Sequence, residues 1–390
     1  MRTRRRTWVV PMTAALVAVG VACGTVSRAQ DQRGAAPCTK AASACTEWVS
    51  VAGGSQRLLV YRSYALDVRN QNITRAMIEV HGGARNADDI FKTALAAAFL
   101  AGALEVVAPR FASNTGVPPW KGEAPCTDTL APDEANWSCE DQRPEGWNSG
   151  GGAIGNEKLT SFDFVDEILR KLARKETFPN LNAIVIAGMS DGGWFTLRYA
   201  MANQAHDKLS VPMTYVVSNP DALVYLDPLR PSASALAPPE GQTRICCTAA
   251  GYPSTASAPG YDLAAPAEPF VPFVDARNCA TYDQWPYGLQ NRTGYAARLT
   301  DEQLKRQLST RPVTYLLGRL DILPTAGLDD SCPAMAQGPA RLARGIAFSR
   351  YMNEKYGAQH KTIVLPACGH SPRCMFTANP ALPLLFSKQQ

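Results

Sequence analysis

The sequence predicts an α/β protein: a mostly parallel sheet with helices on both faces. Three observations carry this. Short runs dominated by apolar and β-branched residues recur at Ala76–Val80, Leu104–Ala108, Ala183–Ala187, Met213–Val217, Val313–Leu317 and Thr362–Leu365. Segments with helical spacing of apolar residues lie between them. Strands separated by helices cannot be joined by tight turns; they become parallel neighbours buried on both faces, so they lack a clean in-and-out alternation.

Taken in order, Glu47–Val51 and Arg57–Arg62 flank Gly53-Gly54 and read as a hairpin. Asp88–Leu100 is Ala-rich and predicts a helix ending near Gly102. Ser161–Arg174 places Phe162, Val165, Ile168, Leu169 and Leu172 on one helical stripe. Trp194–Ala202, Glu302–Leu308 and Arg341–Tyr356 are the remaining predicted helices. Residues 112–158, rich in Gly, Pro, Asn and Trp, and residues 221–300, rich in Pro and Ala, have little period and read as insertions between sheet elements. The expected organisation is a leader over 1–29 and a single domain over 30–390.

Composition bounds the function. Of 390 residues, 46% are hydrophobic and 19% charged, which excludes a largely disordered chain. The formal charge is +5, but five of the 39 basic residues lie in residues 1–29, leaving 34 against 34 acids. A neutral remainder argues against nucleic acid as the main partner, since that needs a basic footprint. Apolar stretches beyond the leader fall well short of the ~20 residues of a membrane span.

The first residues read as an address. Arg2, Arg4, Arg5 and Arg6 make a positive start, Trp8–Cys23 an apolar core, and Ser27-Arg28-Ala29 a small-residue cleavage site. Arg5-Arg6 loosely resembles a twin-arginine signal, and Val21-Ala22-Cys23 a lipid-attachment site at Cys23, though Gly20 stands where that motif usually has Leu. Ten cysteines remain after Cys23. They show no C-x-x-C and no zinc-type spacing, so disulfides in an oxidising compartment are expected, with no metal. Cys38–Cys45, Cys126–Cys139 and Cys368–Cys374 suggest themselves as short-range pairs. The vicinal Cys246 and Cys247 are then expected to pair with Cys279 and Cys332.

Ser190 is the candidate nucleophile. Gly188-Met189-Ser190-Asp191-Gly192 follows an apolar strand and opens a helix, the setting in which G-x-S-x-G forms a strained turn that thrusts the hydroxyl above the sheet. The Asp191 amide, at a helix start, would face a developing oxyanion. A second donor is expected from His81-Gly82-Gly83-Ala84, after an earlier strand, with Gly83 preferred and Ala84 next. Of four histidines, His81 shapes that loop, His206 lies in a polar segment and His360 precedes the last strand. His370 follows the last strand by a short loop and is the candidate base, pinned by a Cys368–Cys374 bridge. The orienting carboxylate is expected at Asp321, just past Val313–Leu317, with Asp221 as the runner-up and Asp329 and Asp330 weaker.

The leader, the His81-Gly82-Gly83 loop, Gly188–Gly192, Leu316–Asp321 and Ala367–His370 together resemble a secreted α/β-hydrolase of the serine-hydrolase superfamily, over roughly residues 75–375 apart from the insertions. The resemblance implies the α/β-hydrolase fold, with Ser190, Asp321 and His370 as nucleophile, acid and base and Gly83 and Asp191 as oxyanion hole. The loop lacks the third glycine of many lipase-like members, which leaves its donor open. No P-loop or dinucleotide fingerprint occurs, so no cofactor is expected. The expected chemistry is hydrolysis of a small-molecule or polymeric carboxylic ester through an acyl-enzyme. Peptidase or amidase action, or a non-catalytic binding role, are the alternatives. Trp120, Trp137, Trp147 and Trp285 would either stack a substrate or pack the insertions.

Overall fold

The computed structural model describes residues 36–99, 104–117, 125–140, 144–232, 269–322 and 327–386. The leader, Cys23, Trp120, Cys246 and Cys247 lie outside the described residues, as does the middle of the 221–300 insertion.

The central sheet has eight strands: β1 (Thr46–Ser50), β2 (Arg57–Arg62), β3 (Arg75–Val80), β4 (Glu105–Pro109), β5 (Ala183–Met189), β6 (Met213–Ser218), β7 (Val313–Gly318) and β8 (Lys361–Leu365). Their spatial order is β1-β2-β4-β3-β5-β6-β7-β8. The β1–β2 hairpin is antiparallel and β2 pairs antiparallel with β4. Every pairing from β4 to β8 is parallel. All seven residues of β5, Ala-Ile-Val-Ile-Ala-Gly-Met, are buried, as a central parallel strand requires.

Helices cover both faces. On one side lie α2 (Ser161–Leu172), α3 (Asp191–Ala202), α4 (Asp301–Thr310) and α6 (Arg341–Tyr356), packed into one apolar cluster that holds Ile78, Ile186, Val217 and Leu317 of the sheet. On the other side α1 (Ala87–Phe99), α7 (Pro372–Thr377) and α8 (Leu382–Phe386) pack against Met77, Val106, Ala187 and Leu316. The short α5 (Cys332–Met335) lies between β7 and α6 in sequence. Helix starts follow local chemistry. Thr160 and Asp163 form a reciprocal capping box for α2, and Thr300 and Gln303 do so for α4.

The 112–158 insertion carries two short ribbons, Ala112–Thr115 with Asn136–Ser138 and Gly152–Ala153 with Asn156–Thr160. The described part of the second insertion holds a third, Leu229–Pro231 with Phe270–Pro272. Strands of two to five residues leave too little periodicity to be read from sequence. No helix among the described residues is long and apolar enough to cross a membrane.

The disulfides Cys38–Cys45, Cys126–Cys139 and Cys368–Cys374 form as expected, with Cα separations of 5.7, 5.8 and 5.7 Å. The fourth corrects the sequence expectation: Cys279 and Cys332 pair with each other, at a Cα separation of 5.8 Å, and not with the vicinal cysteines. The reason is tertiary. Tyr287 Oη donates to Asp329 Oδ2 at 2.7 Å, which draws the segment after Cys279 onto the loop before Cys332.

Candidate active site

Register brings five strand ends to one edge of the sheet. Val80 of β3 lies beside Gly188 of β5, Met189 beside Ser218 of β6, Ser218 beside Leu316 of β7, and Gly318 beside Leu365 of β8. The loops carrying His81–Gly83, Ser190, Asp221, Asp321 and His370 therefore all leave the sheet at its carboxyl edge, where open parallel sheets place ligands.

Ser190 sits between β5 and α3 with φ 61° and ψ −124°, a conformation that non-glycine residues rarely adopt. The turn is held by Ser190 N–H donating to Ser218 O at 3.1 Å and Trp194 N–H donating to Ser190 O at 2.9 Å. Two glycines make it possible. A Cβ on Gly188 would collide with the Gly192 carbonyl, and one on Gly192 with the Val80 carbonyl oxygen.

The His81 loop packs directly against this turn. A Cβ built on Gly82 would lie 3.4 Å from Ser190 Cβ. His81 Nδ1 lies 2.8 Å from Gly82 O, and its Nε2 accepts from Phe111 N–H at 3.1 Å. These bonds fix a neutral ring protonated at Nδ1. Burial pushes its pKa down to about 4, against a smaller upward pull from the Gly82 carbonyl. His81 thus shapes the loop, as its place in the sequence implies. Gly83 lies one residue on, its carbonyl accepting from Arg85 Nη1 at 2.6 Å. The Asp191 side chain accepts from Asn148 Nδ2 at 3.1 Å, anchoring the first insertion to α3.

His370 stands past β8 with its side chain 21% exposed, and its Nδ1 lies 2.7 Å from Asp321 Oδ2. The Asp321 side chain is fully buried. His206 is engaged by Tyr215 Oη at 2.8 Å. His360 lies between Tyr315 Oη and Leu308 O, with burial pushing its pKa down to about 4. The Ser190 hydroxyl donates to Asp221 Oδ2 at 2.7 Å, and among the described residues it makes no hydrogen bond to His370. The structure thus brings Asp321 to His370 and places Asp221, the runner-up acid, on Ser190.

Two residues were missed by the sequence reading as parts of the site. Asn219, with φ 37°, accepts from Gly318 N–H at 2.8 Å and donates to Gly369 O at 3.2 Å, tying the ends of β6 and β7 to the His370 loop. An Asn-Pro pair directly after a strand is its only sequence signal. Arg341, the first residue of α6, pairs with Asp221 through Nε and approaches Asp321 Oδ1 at 3.5 Å. Nothing local in the sequence marks it. The tryptophans resolve the other way: Trp137, Trp147 and Trp285 are buried. Trp147 packs 4.6 Å from the His81 ring and 5.2 Å from Phe111, and Trp137 donates to Gly151 O. They hold the insertions on the sheet and offer no stacking surface.

Residues 80–382 match the alpha/beta hydrolase family. The chain belongs to that family. Solved structures agree on the fold of this hydrolase. Poly(aspartic acid) hydrolase-1 from Sphingomonas sp. KT-1 aligns over 87% of this chain and 98% of its own, at 18% identity and a TM-score of 0.53. LpqC, a poly(3-hydroxybutyrate) depolymerase from Bordetella parapertussis, aligns over 86% of this chain and 85% of its own, at 18% identity and a TM-score of 0.51. No curated protein matches the hydrolase in sequence.

Proposed function

We propose that the chain is a secreted serine hydrolase that cleaves carboxylic esters through a covalent acyl-enzyme. The observation that carries the reading is the 2.7 Å contact of His370 Nδ1 with buried Asp321, at the sheet edge that also carries the strained Ser190 turn. In this reading the Asp321 carboxylate fixes the imidazole tautomer and leaves Nε2 as the basic nitrogen. Ser190 Oγ attacks the acyl carbon, and its proton passes to His370 Nε2. The carbonyl oxygen gains charge as the tetrahedral intermediate forms and is met by backbone amides of Gly83 and Asp191. Collapse expels the alcohol, which takes the proton from His370. Water then repeats the sequence on the acyl-enzyme and releases the acid. Four disulfides among the described residues support export to an oxidising compartment.

The test is a panel of p-nitrophenyl esters of increasing acyl length beside peptide p-nitroanilides, with wild type and Ser190→Ala. Ester turnover is expected to exceed anilide turnover in wild type and to disappear in the variant. Equal ester turnover in Ser190→Ala would overturn the assignment of the nucleophile, and faster anilide turnover the assignment of the bond.

A further inference from the structure

The hydroxyl and the imidazole are joined through the protein interior. Ser190 Oγ donates to Asp221 Oδ2, Asp221 Oδ1 takes Arg341 Nε, Arg341 Nη1 lies 3.5 Å from Asp321 Oδ1, and Asp321 Oδ2 meets His370 Nδ1. The side chains of Asp221, Arg341 and Asp321 have no solvent exposure. Arg344, one turn along α6, donates through Nη1 to the Asp221 main-chain carbonyl and through Nη2 to Asp329 O at 2.8 Å. Asp191 is the further carboxylate that acts on Arg341.

Arg341 is costly where it stands. It is buried, and it opens α6, where the positive end of the helix dipole disfavours a cation. Burial works to lower its pKa, but the Asp221 and Asp321 carboxylates more than offset that and hold it above its ordinary value. An apolar side chain would fill the same space without desolvating a charge. What the guanidinium adds is a planar fork able to face two carboxylates at once.

We propose that Arg341 is a positioning residue that neutralises Asp221, which parks the Ser190 hydroxyl, so that Asp321 alone carries the negative charge answered by His370. This rests on the Ser190–His370–Asp321 reading above. A hydroxyl has one proton, and in this structure it is committed to Asp221. Attack requires the hydroxyl to turn to His370, where its O–H bond breaks and the proton moves to Nε2. With Arg341 present, two carboxylates and one guanidinium leave one net negative charge, cancelled when the imidazole takes that proton. Without it, Asp221 is an uncompensated buried anion. It grips the hydroxyl more tightly and, with Asp321, leaves two negative charges facing one imidazolium. Removing the Asp221 charge as well restores the balance.

The test is kcat and KM of Arg341→Met, Asp221→Asn and the double variant on one ester, each shown to be folded by circular dichroism. Arg341→Met is expected to lower kcat about a hundredfold with KM within about twofold, and Asp221→Asn to lower kcat about tenfold. The double variant is expected at least about tenfold above Arg341→Met. Arg341→Lys recovers only part of the loss, because one ammonium does not span both carboxylates. A double variant as slow as the product of the two single losses would overturn the proposal, as would a loss confined to KM. Should Arg341→Met not fold, full kcat in Asp221→Asn overturns it alone. Fluorophosphonate labelling of Ser190 in wild type separates this from the parent reading. An unlabelled serine defeats both, whereas a labelled serine without rescue defeats only the role of Arg341.

Discussion

Replacing Glu79 by Gln isolates one buried acid in the strand that leads into the His81 loop. Glu79 is fully buried in β3, and neither carboxyl oxygen has a hydrogen-bond partner among the described residues. Burial therefore holds its pKa well above the ordinary value of 4.5, and the side chain folds in its protonated form. The unfolded chain gives up that proton above pH 4.5. A raised folded pKa thus contributes stability that is fully present below pH 4.5 and is lost as pH rises toward the folded pKa. Within that window the unfolded state binds one proton fewer, so each pH unit costs about 1.4 kcal/mol. Glutamine has nearly the same shape and no such proton. As pH rises above 4.5 the Glu79→Gln protein should therefore gain on wild type, by up to about 1.4 kcal/mol per pH unit until the folded pKa is reached. Urea unfolding at half-unit pH steps, with disulfides intact, gives both curves. Parallel curves would refute the reasoning, for they would mean that Glu79 is ionised and partnered in the folded protein.

Two further predictions use the same structure. His360 is the opposite case, a base whose folded pKa is held near 4. The unfolded imidazole takes a proton below about pH 6.5 and the folded one does not, so stability is lost as pH falls from 6.5 to 4, by about 3 kcal/mol in all. His360→Gln should flatten that acid limb in the same urea series, and an unchanged slope would contradict the burial argument. The Cys368–Cys374 bridge closes only six residues of sequence around His370. Replacing both cysteines by Ser should cost about 2 kcal/mol of stability and lower ester kcat about tenfold, measured well below the melting temperature. Full kcat would show that the loop holds its histidine without the bridge.

What could be read from the sequence was what local physics encodes. A central parallel strand must be apolar on both faces, and Ala183–Ala187 says so; an elbow must have glycines where backbones touch, and Gly188 and Gly192 stand there. With four histidines in the chain and only one just past the last strand, His370 was legible as well. Arg341 and the way it joins the two carboxylates beneath the site were not. Arg341 opens an ordinary-looking helix, and Asp221 lies 120 residues away from it; only the sheet order and the packing of α6 bring them together. The same holds for Cys279 and Cys332, 53 residues apart, whose pairing follows from how the second insertion folds back. The sequence leaves the tryptophans open for a related reason: composition marks an aromatic-rich loop but does not say which face its rings turn to, and Trp137, Trp147 and Trp285 turn inward.

The proposed acyl-enzyme is tested most directly at Ser190. Wild-type protein mixed with a slowly deacylating p-nitrophenyl ester, quenched in acid within the first turnover and digested, is expected to yield the peptide containing Ser190 with the mass of one acyl group added. Rapid ester cleavage that leaves this peptide unmodified, or an acyl group found on a different side chain, would contradict the account.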